Sequence, residues 1–452
     1  MMATTGTEAL QDRRTFALAP EPAARSATAL VAFHIAVAVV LLGMPVALCL
    51  VSLAGLASGA GTPAEAAFAG CLLVSALFTL GAMANGMVRR RATLQDYLAW
   101  ALCLSGVPGL FIPQPGQNDF QLAYALATLA RFLVLHWALP RVALGRRVPI
   151  DRIVGFWLVT AATVVTLGSL AIAIRYGINL GSSQRLHGAT TNWLHANLLA
   201  AYASICVLGA LAWMRGHTVL RLGVGLLGAY ILLLSQSRAA IVSLVAATLV
   251  WFVFASVRNV ARATLAALTA AAVLLAAWPF VSRTVSQWGP VRGMITRTTA
   301  GDPTGGRMEK FDRVLVIVDR NPVVGGGFKT IMTPVENGYV SLAVETGYLG
   351  VAIYLVLVAV VVGKALQLRA RSADDAGRRL GEWLIVLTTF MLVRSMGERS
   401  HPLQMGDALS NAWLLYAGYL LVLQPLREAP KPRGLLSRRR RKSETLEARP
   451  PQ

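Results

Sequence analysis

The strongest constraint on this chain is a row of apolar runs, each long enough to cross a ~30 Å hydrocarbon core, which takes roughly 17–25 residues of helix. About twelve such runs are present, near residues 28–57, 66–88, 94–112, 120–140, 152–174, 193–213, 218–235, 239–256, 261–281, 338–363, 380–397 and 407–425. They are continuous and show no period-two alternation, so helices are predicted and barrel strands are not. Of the 452 residues, 56% are hydrophobic and 14% charged, whereas a soluble domain carries about 25% charged residues. The expected fold is an all-α polytopic integral membrane protein of about 12 transmembrane helices. The first 26 residues are polar and lack the apolar core of a signal peptide, so the first span is expected to direct insertion.

The charges between the runs set orientation. Arg13, Arg14 and Arg25 precede the first span; Arg89, Arg90 and Arg91 follow the second; Arg141, Arg146, Arg147 and Arg152 follow the fourth. Arg215 and Arg221 follow the sixth, Arg258 and Arg262 the eighth, and Lys364, Arg369, Arg371, Arg378 and Arg379 the tenth. The alternate connections at 58–65 and 113–119 hold no Lys or Arg. This is the cytoplasmic bias of basic loops, and it predicts that both termini are cytoplasmic. The net charge of +21 is split among these clusters, so no nucleic acid partner is expected. The basic tail from Arg438 to Lys442 is expected to rest on anionic membrane lipid. Cys49, Cys71, Cys103 and Cys206 lie inside apolar runs without CxxC spacing, and the six histidines form no ligand set. No metal site and no cofactor are predicted.

One long polar interval interrupts the pattern, from Ser282 to Asn337, with eight Lys or Arg and five Asp or Glu. It is too long and too charged for a turn, and it is expected to form a cap over an active site on the outer face. Within it, Asp302 to Arg307 reads as turn chemistry before an amphipathic helical stretch, MEKFDRVLVIVD, that Pro322 stops. Gly325, Gly326 and Gly327 then allow close backbone approach. This turn lacks the Lys-Ser/Thr of a P-loop and follows no strand, so nucleotide binding is a poor reading.

Basic residues on the outer side are the informative exceptions. Arg238 sits in a very short outer turn, LLLSQSRAA, where a charge costs a few kcal/mol unless it faces a cavity or a partner; a snorkelling arginine at a helix end is the plain alternative. Arg185, Arg238 and Arg307, with Glu336 and Asn337 where the long loop re-enters the membrane, form the candidate site. Guanidinium forks suit phosphate, and a lipid-linked pyrophosphate is the phosphate ligand expected outside the cytoplasm. A sugar leaving it needs its diphosphate charge stabilised and a base near the incoming hydroxyl. Glu336 is that candidate base; the competing reading is a helix cap at Glu336. Glu398 and His401 in the last outer loop are a second acid–base candidate. Arg131 and His136 in the fourth span read as inward-facing packing residues.

These residues carry a family resemblance. Ser235-Gln236-Ser237-Arg238-Ala239, Gly306-Arg307 followed by Phe311, Asn321-Pro322-x-x-Gly325-Gly326-Gly327-Phe328, Glu336-Asn337-Gly338-Tyr339 and Glu345-Thr346-Gly347-Tyr348-Leu349-Gly350 occur in the order of the O-antigen ligase/polymerase superfamily. Arg185, with Gly188 and Asn197 after it, resembles an earlier arginine of that pattern. The likeness covers roughly residues 170–365. It implies an inner-membrane glycosyltransferase that takes glycan from undecaprenyl pyrophosphate to an acceptor glycan or glycolipid in the periplasm, with neither metal nor nucleotide. Arg238 and Arg307 would hold the pyrophosphate, Arg185 would place the donor, and Asn337 and Tyr339 would line the site. Ligases of the family usually have His-Asn where this chain has Glu336-Asn337. That departure favours a repeat-unit polymerase for exopolysaccharide or O-antigen over a ligase acting on lipid A core.

The expected organisation is a cytoplasmic tail (1–27), helices one to nine (28–281), the periplasmic loop (282–337), helices ten to twelve (338–425) and a basic cytoplasmic tail (426–452). The rival from another class is a transporter or lipid-linked oligosaccharide flippase. It predicts two related halves without a large outer loop, and no half-to-half repeat is seen.

Overall fold

The computed structural model describes residues 30–31, 33–42, 94–111, 120–145, 149–182, 185–186, 195–214, 217–256, 288–292, 307–328, 335–372, 375–403 and 408–423. Among them the regular structure is helical, without strands. The helices are α1 (Phe33–Leu42), α2 (Leu94–Leu104) and α3 (Phe120–Phe132), which widens into a π-helical turn (Leu133–Ala138) and continues as α4 (Leu139–Gly145). Then come α5 (Ile150–Arg175), α6 (Ala196–Ala212), α7 (Thr218–Ser235) and α8 (Arg238–Ser256). The last four are α9 (Arg307–Arg320), α10 (Gly338–Arg371), α11 (Asp375–Ser395) and α12 (Ala408–Leu423). The expected spans near 66–88 and 261–281 lie outside the described residues.

Among the described residues, four stretches are long and apolar enough to cross a membrane: Tyr124–Leu144, Ile150–Arg175, Thr218–Ser235 and Gly338–Arg371. Shorter apolar helices pack beside them. Ile174, Val219, Leu226 and Leu249 point outward and are well exposed. Water would penalise an exterior so rich in large apolar side chains, and a hydrocarbon phase solvates it. The chain is a membrane protein.

Cross-helix contacts fix the direction of each helix. Asp96 at the start of α2 pairs with Arg141 of α4 at 3.1 Å. Arg369 late in α10 lies 4.5 Å over the ring of Phe254 late in α8, and it meets Glu382 early in α11 at 3.2 Å. Trp213, just past α6, packs edge-on against Trp383 of α11 with 5.9 Å between ring centres. Tyr416 of α12 donates to the main-chain carbonyl of Asp151 at the start of α5, at 3.2 Å. One end of the bundle therefore gathers the starts of α2, α5, α7 and α11 with the ends of α4, α6, α8, α10 and α12. Arg141, Arg152, Arg221, Arg369, Arg371, Arg378 and Arg379 all lie at or near this basic end. The starts of α3, α6, α8, α10 and α12 and the ends of α2, α5, α7 and α11 lie at the opposite end, with Arg185, Arg238, Glu336, Asn337, Tyr339, Glu398 and His401.

Candidate active site

At that opposite end α7 passes into α8 through a two-residue reversal. Gln236 is buried and left-handed (φ 51°, ψ 32°), a conformation that costs a residue with a side chain roughly 1–2 kcal/mol. Such strain persists where the surroundings over-determine it, often at functional sites. The hydroxyl of Ser235 closes the last turn of α7 by donating to the Leu232 carbonyl at 2.6 Å. The hydroxyl of Ser237 accepts the N–H of Ala240 at 3.5 Å and so caps α8. The Ser-Gln-Ser-Arg stretch is thus a cap-to-cap corner, and it sets Arg238, exposed, in the first turn of α8. The partial positive charge of that helix end adds to the guanidinium.

Arg185 is bound to the same corner. Its Nε donates to the carbonyl of Ser235 at 2.9 Å, its Nη2 donates to Oδ1 of Asn197, and the N–H of Leu186 donates to the carbonyl of Leu234 at 2.9 Å. These two acceptors, a main-chain carbonyl and an amide oxygen, are neutral and orient the guanidinium. A returning piece of the long loop lies alongside. Trp288 stacks on Tyr230 of α7 with ring centres 6.3 Å apart, and a methyl on Gly289 would lie 2.1 Å from the carbonyl oxygen of Gly181. This contact brings the exposed Arg292 to the same end. The sequence reading assigned Arg292 no role, because Trp-Gly-Pro-Val-Arg carries no motif.

Arg307 is the first residue of α9; its side chain lies outside the described residues. α9 is the predicted amphipathic helix, stopped at Asn321-Pro322, and its Val318 is buried against Ala343 and Val344 of α10. Beyond it the glycine triplet makes a backbone joint. The N–H groups of Gly326 and Gly327 donate to the carbonyls of Val344 and Glu345 at 2.7 and 3.1 Å, and that of Tyr348 donates to Pro322 at 2.8 Å. α10 breaks at Gly347 (φ 69°), where a methyl would lie 2.1 Å from the carbonyl oxygen of Val323. On its other side the joint meets Gly109, whose added methyl would lie 2.1 Å from the Gly327 nitrogen. The triplet is a packing device, and these amide contacts seat it on α10.

Asn337 is the cap of α10. Its Oδ1 accepts the N–H groups of Tyr339 and Val340 at 2.9 and 3.0 Å, while its Nδ2 donates to the Met396 carbonyl at 3.1 Å. Glu336, half-buried, immediately precedes the cap and does not itself fill that position. Tyr339 donates its hydroxyl to the Leu392 carbonyl at 3.0 Å, and Gly338 presses on Ser395 and Ser400. The segment after α11 is thereby joined to the start of α10, and it carries Glu398 and His401. Both are buried, and neither ring nitrogen of His401 has a hydrogen-bond partner. Burial first, then the Arg399 and Arg131 guanidiniums, hold the His401 pKa well below its ordinary value. It is a neutral imidazole of low basicity, a weaker candidate for proton transfer than the half-buried Glu336.

Two further charged residues stand in this region without a role assigned from sequence. Arg399 contacts the buried Glu345 through Nη2 and Oε1. Burial alone would lower the Arg399 pKa; the Glu345 carboxylate, with a smaller contribution from the Tyr124 phenol, outweighs it and raises the pKa. Arg131, fully buried as expected, donates from Nε to Oδ1 of Asn411 at 2.6 Å. It ends a buried stripe of Gln121, Tyr124, Thr128 and Arg131 along one face of α3.

Comparison with known proteins bears on the same stretch. No curated protein matches the chain. Residues 223–355 match the family model described as O-antigen ligase, a segment that runs from within α7 through the arginine corner, α9 and the glycine joint into α10. Over this stretch the chain is similar to the O-antigen ligase family, in line with the resemblance to the O-antigen ligase/polymerase superfamily read from its motifs.

Proposed function

We propose that the protein transfers glycan from undecaprenyl pyrophosphate to an acceptor glycan or glycolipid in the periplasm, and that it does so as a repeat-unit polymerase needing neither metal nor nucleotide. The observation that carries this reading is the corner where the Ser235 carbonyl, three residues before the exposed Arg238, accepts a hydrogen bond from Arg185. Those charges suit a diphosphate, and Arg307 at the head of α9 would join them. In the step proposed, the acceptor hydroxyl oxygen attacks the anomeric carbon and the bond from that carbon to the phosphate oxygen breaks. Undecaprenyl pyrophosphate leaves with the bonding electrons, steadied by the arginines. The hydroxyl proton passes to the Glu336 carboxylate. Tyr339 and Asn337 border the acceptor side. The basic end would face the cytoplasm, with both tails (1–27 and 426–452), and the basic C-terminal tail would lie on anionic lipid of the inner membrane. The segment 282–337 would cap the site between helix sets 28–281 and 338–425.

The test uses purified protein in lipid nanodiscs with an undecaprenyl-pyrophosphate-linked repeat unit, an acceptor and a chelator. Transfer is expected to persist in chelator and to fall about 100-fold or more in Glu336→Gln, with donor binding retained. Full activity of that variant removes the base. Movement of lipid-linked glycan across the bilayer without transfer to any acceptor overturns the transferase in favour of a flippase. Transfer to lipid A core in place of repeat units makes it a ligase.

A further inference from the structure

Three segments converge on Glu345. Its main-chain carbonyl accepts the N–H of Gly327 at 3.1 Å, its carboxylate holds Arg399, and it stands two residues before the break at Gly347. The piece of α10 before that break, residues 338–346, is a short rigid head separated from the long helix behind it. Its front is tied to the 392–400 segment by Asn337, Gly338 and Tyr339. Its rear is tied to the same segment by Glu345 and Arg399.

Glu345 is only 3% exposed and Arg399 is partly buried. A buried ion pair is a poor source of stability, because desolvation offsets much of the attraction; what it can supply is a fixed geometry. Without the Glu345 carboxylate, Arg399 would lose the counter-charge that holds it. The 396–401 turn would then lose its tie to the rear of the α10 head, and Glu336 and Asn337 would lose their footing.

We infer that the Glu345–Arg399 pair is a positioning device: it locks the head of α10 to the turn after α11 and so fixes the backbone that carries Glu336. Neither residue touches substrate. The inference rests on the transferase reading above, and its test includes a readout that needs no catalysis.

Spin labels at the exposed positions Val323 and Met396, in a variant freed of the four native cysteines, report the distance across the joint. In Glu345→Gln the distance distribution is expected to broaden, kcat to fall about 100-fold as for a small misplacement of reacting groups, and the donor KM to stay within a factor of about three. Glu345→Asp, which keeps the charge, should recover most of both. The exchange of the two residues, E345R with R399E, guards against simple loss of folding and should recover part. Unchanged distances with full activity in Glu345→Gln overturn the inference. So does a parallel loss of kcat, donor affinity and thermal stability, which is what a merely structural pair would give. Broadened distances with no transfer even by the unmodified protein keep the clamp and overturn the transferase reading.

Discussion

The two ends of the bundle use arginine differently. At the basic end three guanidiniums meet carboxylates: Arg141 with Asp96, Arg369 with Glu382 and Arg378 with Asp375, at 3.1, 3.2 and 2.7 Å. At the opposite end Arg185 is held by a main-chain carbonyl and an amide oxygen. Carboxylate pairing settles a charge inside the fold, whereas a main-chain carbonyl and an amide oxygen aim it. The Glu345–Arg399 pair is the exception at the candidate site, and it ties backbone segments together as the pairs at the basic end do.

The sharpest test of this contrast removes one arginine from each end. Arg238→Ala should lower glycan transfer about 100-fold or more, while Arg378→Ala, an exposed partner of Asp375, should change stability by less than about 0.5 kcal/mol and leave transfer unaltered. Equal losses in both would erase the distinction. Next in size, Asp96→Ala leaves Arg141 buried without its carboxylate and should cost about 3–5 kcal/mol, read as a fall in thermal unfolding temperature in detergent with the donor KM of the surviving fraction unchanged. Gly347→Ala meets both the positive φ and the Val323 carbonyl, and it should destabilise by about 2–4 kcal/mol, measured the same way. Asn337→Ala removes the cap of α10 and should cost about 1 kcal/mol.

The smallest effect concerns acidity. Because the folded pKa of His401 is depressed, its contribution is complete above the ordinary value of 6.5 and is lost as pH falls below that value towards the folded pKa. The unfolding temperature should therefore drop between pH 7 and pH 5, and His401→Gln should flatten that drop. A profile that is the same in both proteins assigns the acid sensitivity to another group.

What was legible in the sequence was whatever is written locally. The apolar runs and the amphipathic stretch ended by Asn321-Pro322 each carry their own period or stop signal, and the described helices follow them. The glycine triplet announced close backbone approach, but its partners, Gly109 and Gly347, belong to distant stretches with no shared pattern. The same limit hid the bond between Glu345 and Arg399, which are 54 residues apart. A carboxylate inside an apolar run was the available signal, since a charge there needs a partner; only the fold names the partner. Asn337 is the reverse case. Read as part of a substrate site beside Glu336, it has its side-chain oxygen and nitrogen engaged in capping α10 and holding Met396.

The glycine joint has a practical corollary for anyone wishing to move the outer loop into a related bundle. Where main chain lies directly on main chain, no side chain remains to be trimmed or enlarged as compensation, so Gly109, Gly325, Gly327 and Gly347 work only as a set. A chimera that borrows residues 321–328 must also borrow the turn after α2 and the break in α10. Supplied with fewer than all three pieces, the transplanted loop would be shut out of its seat by a single methyl group.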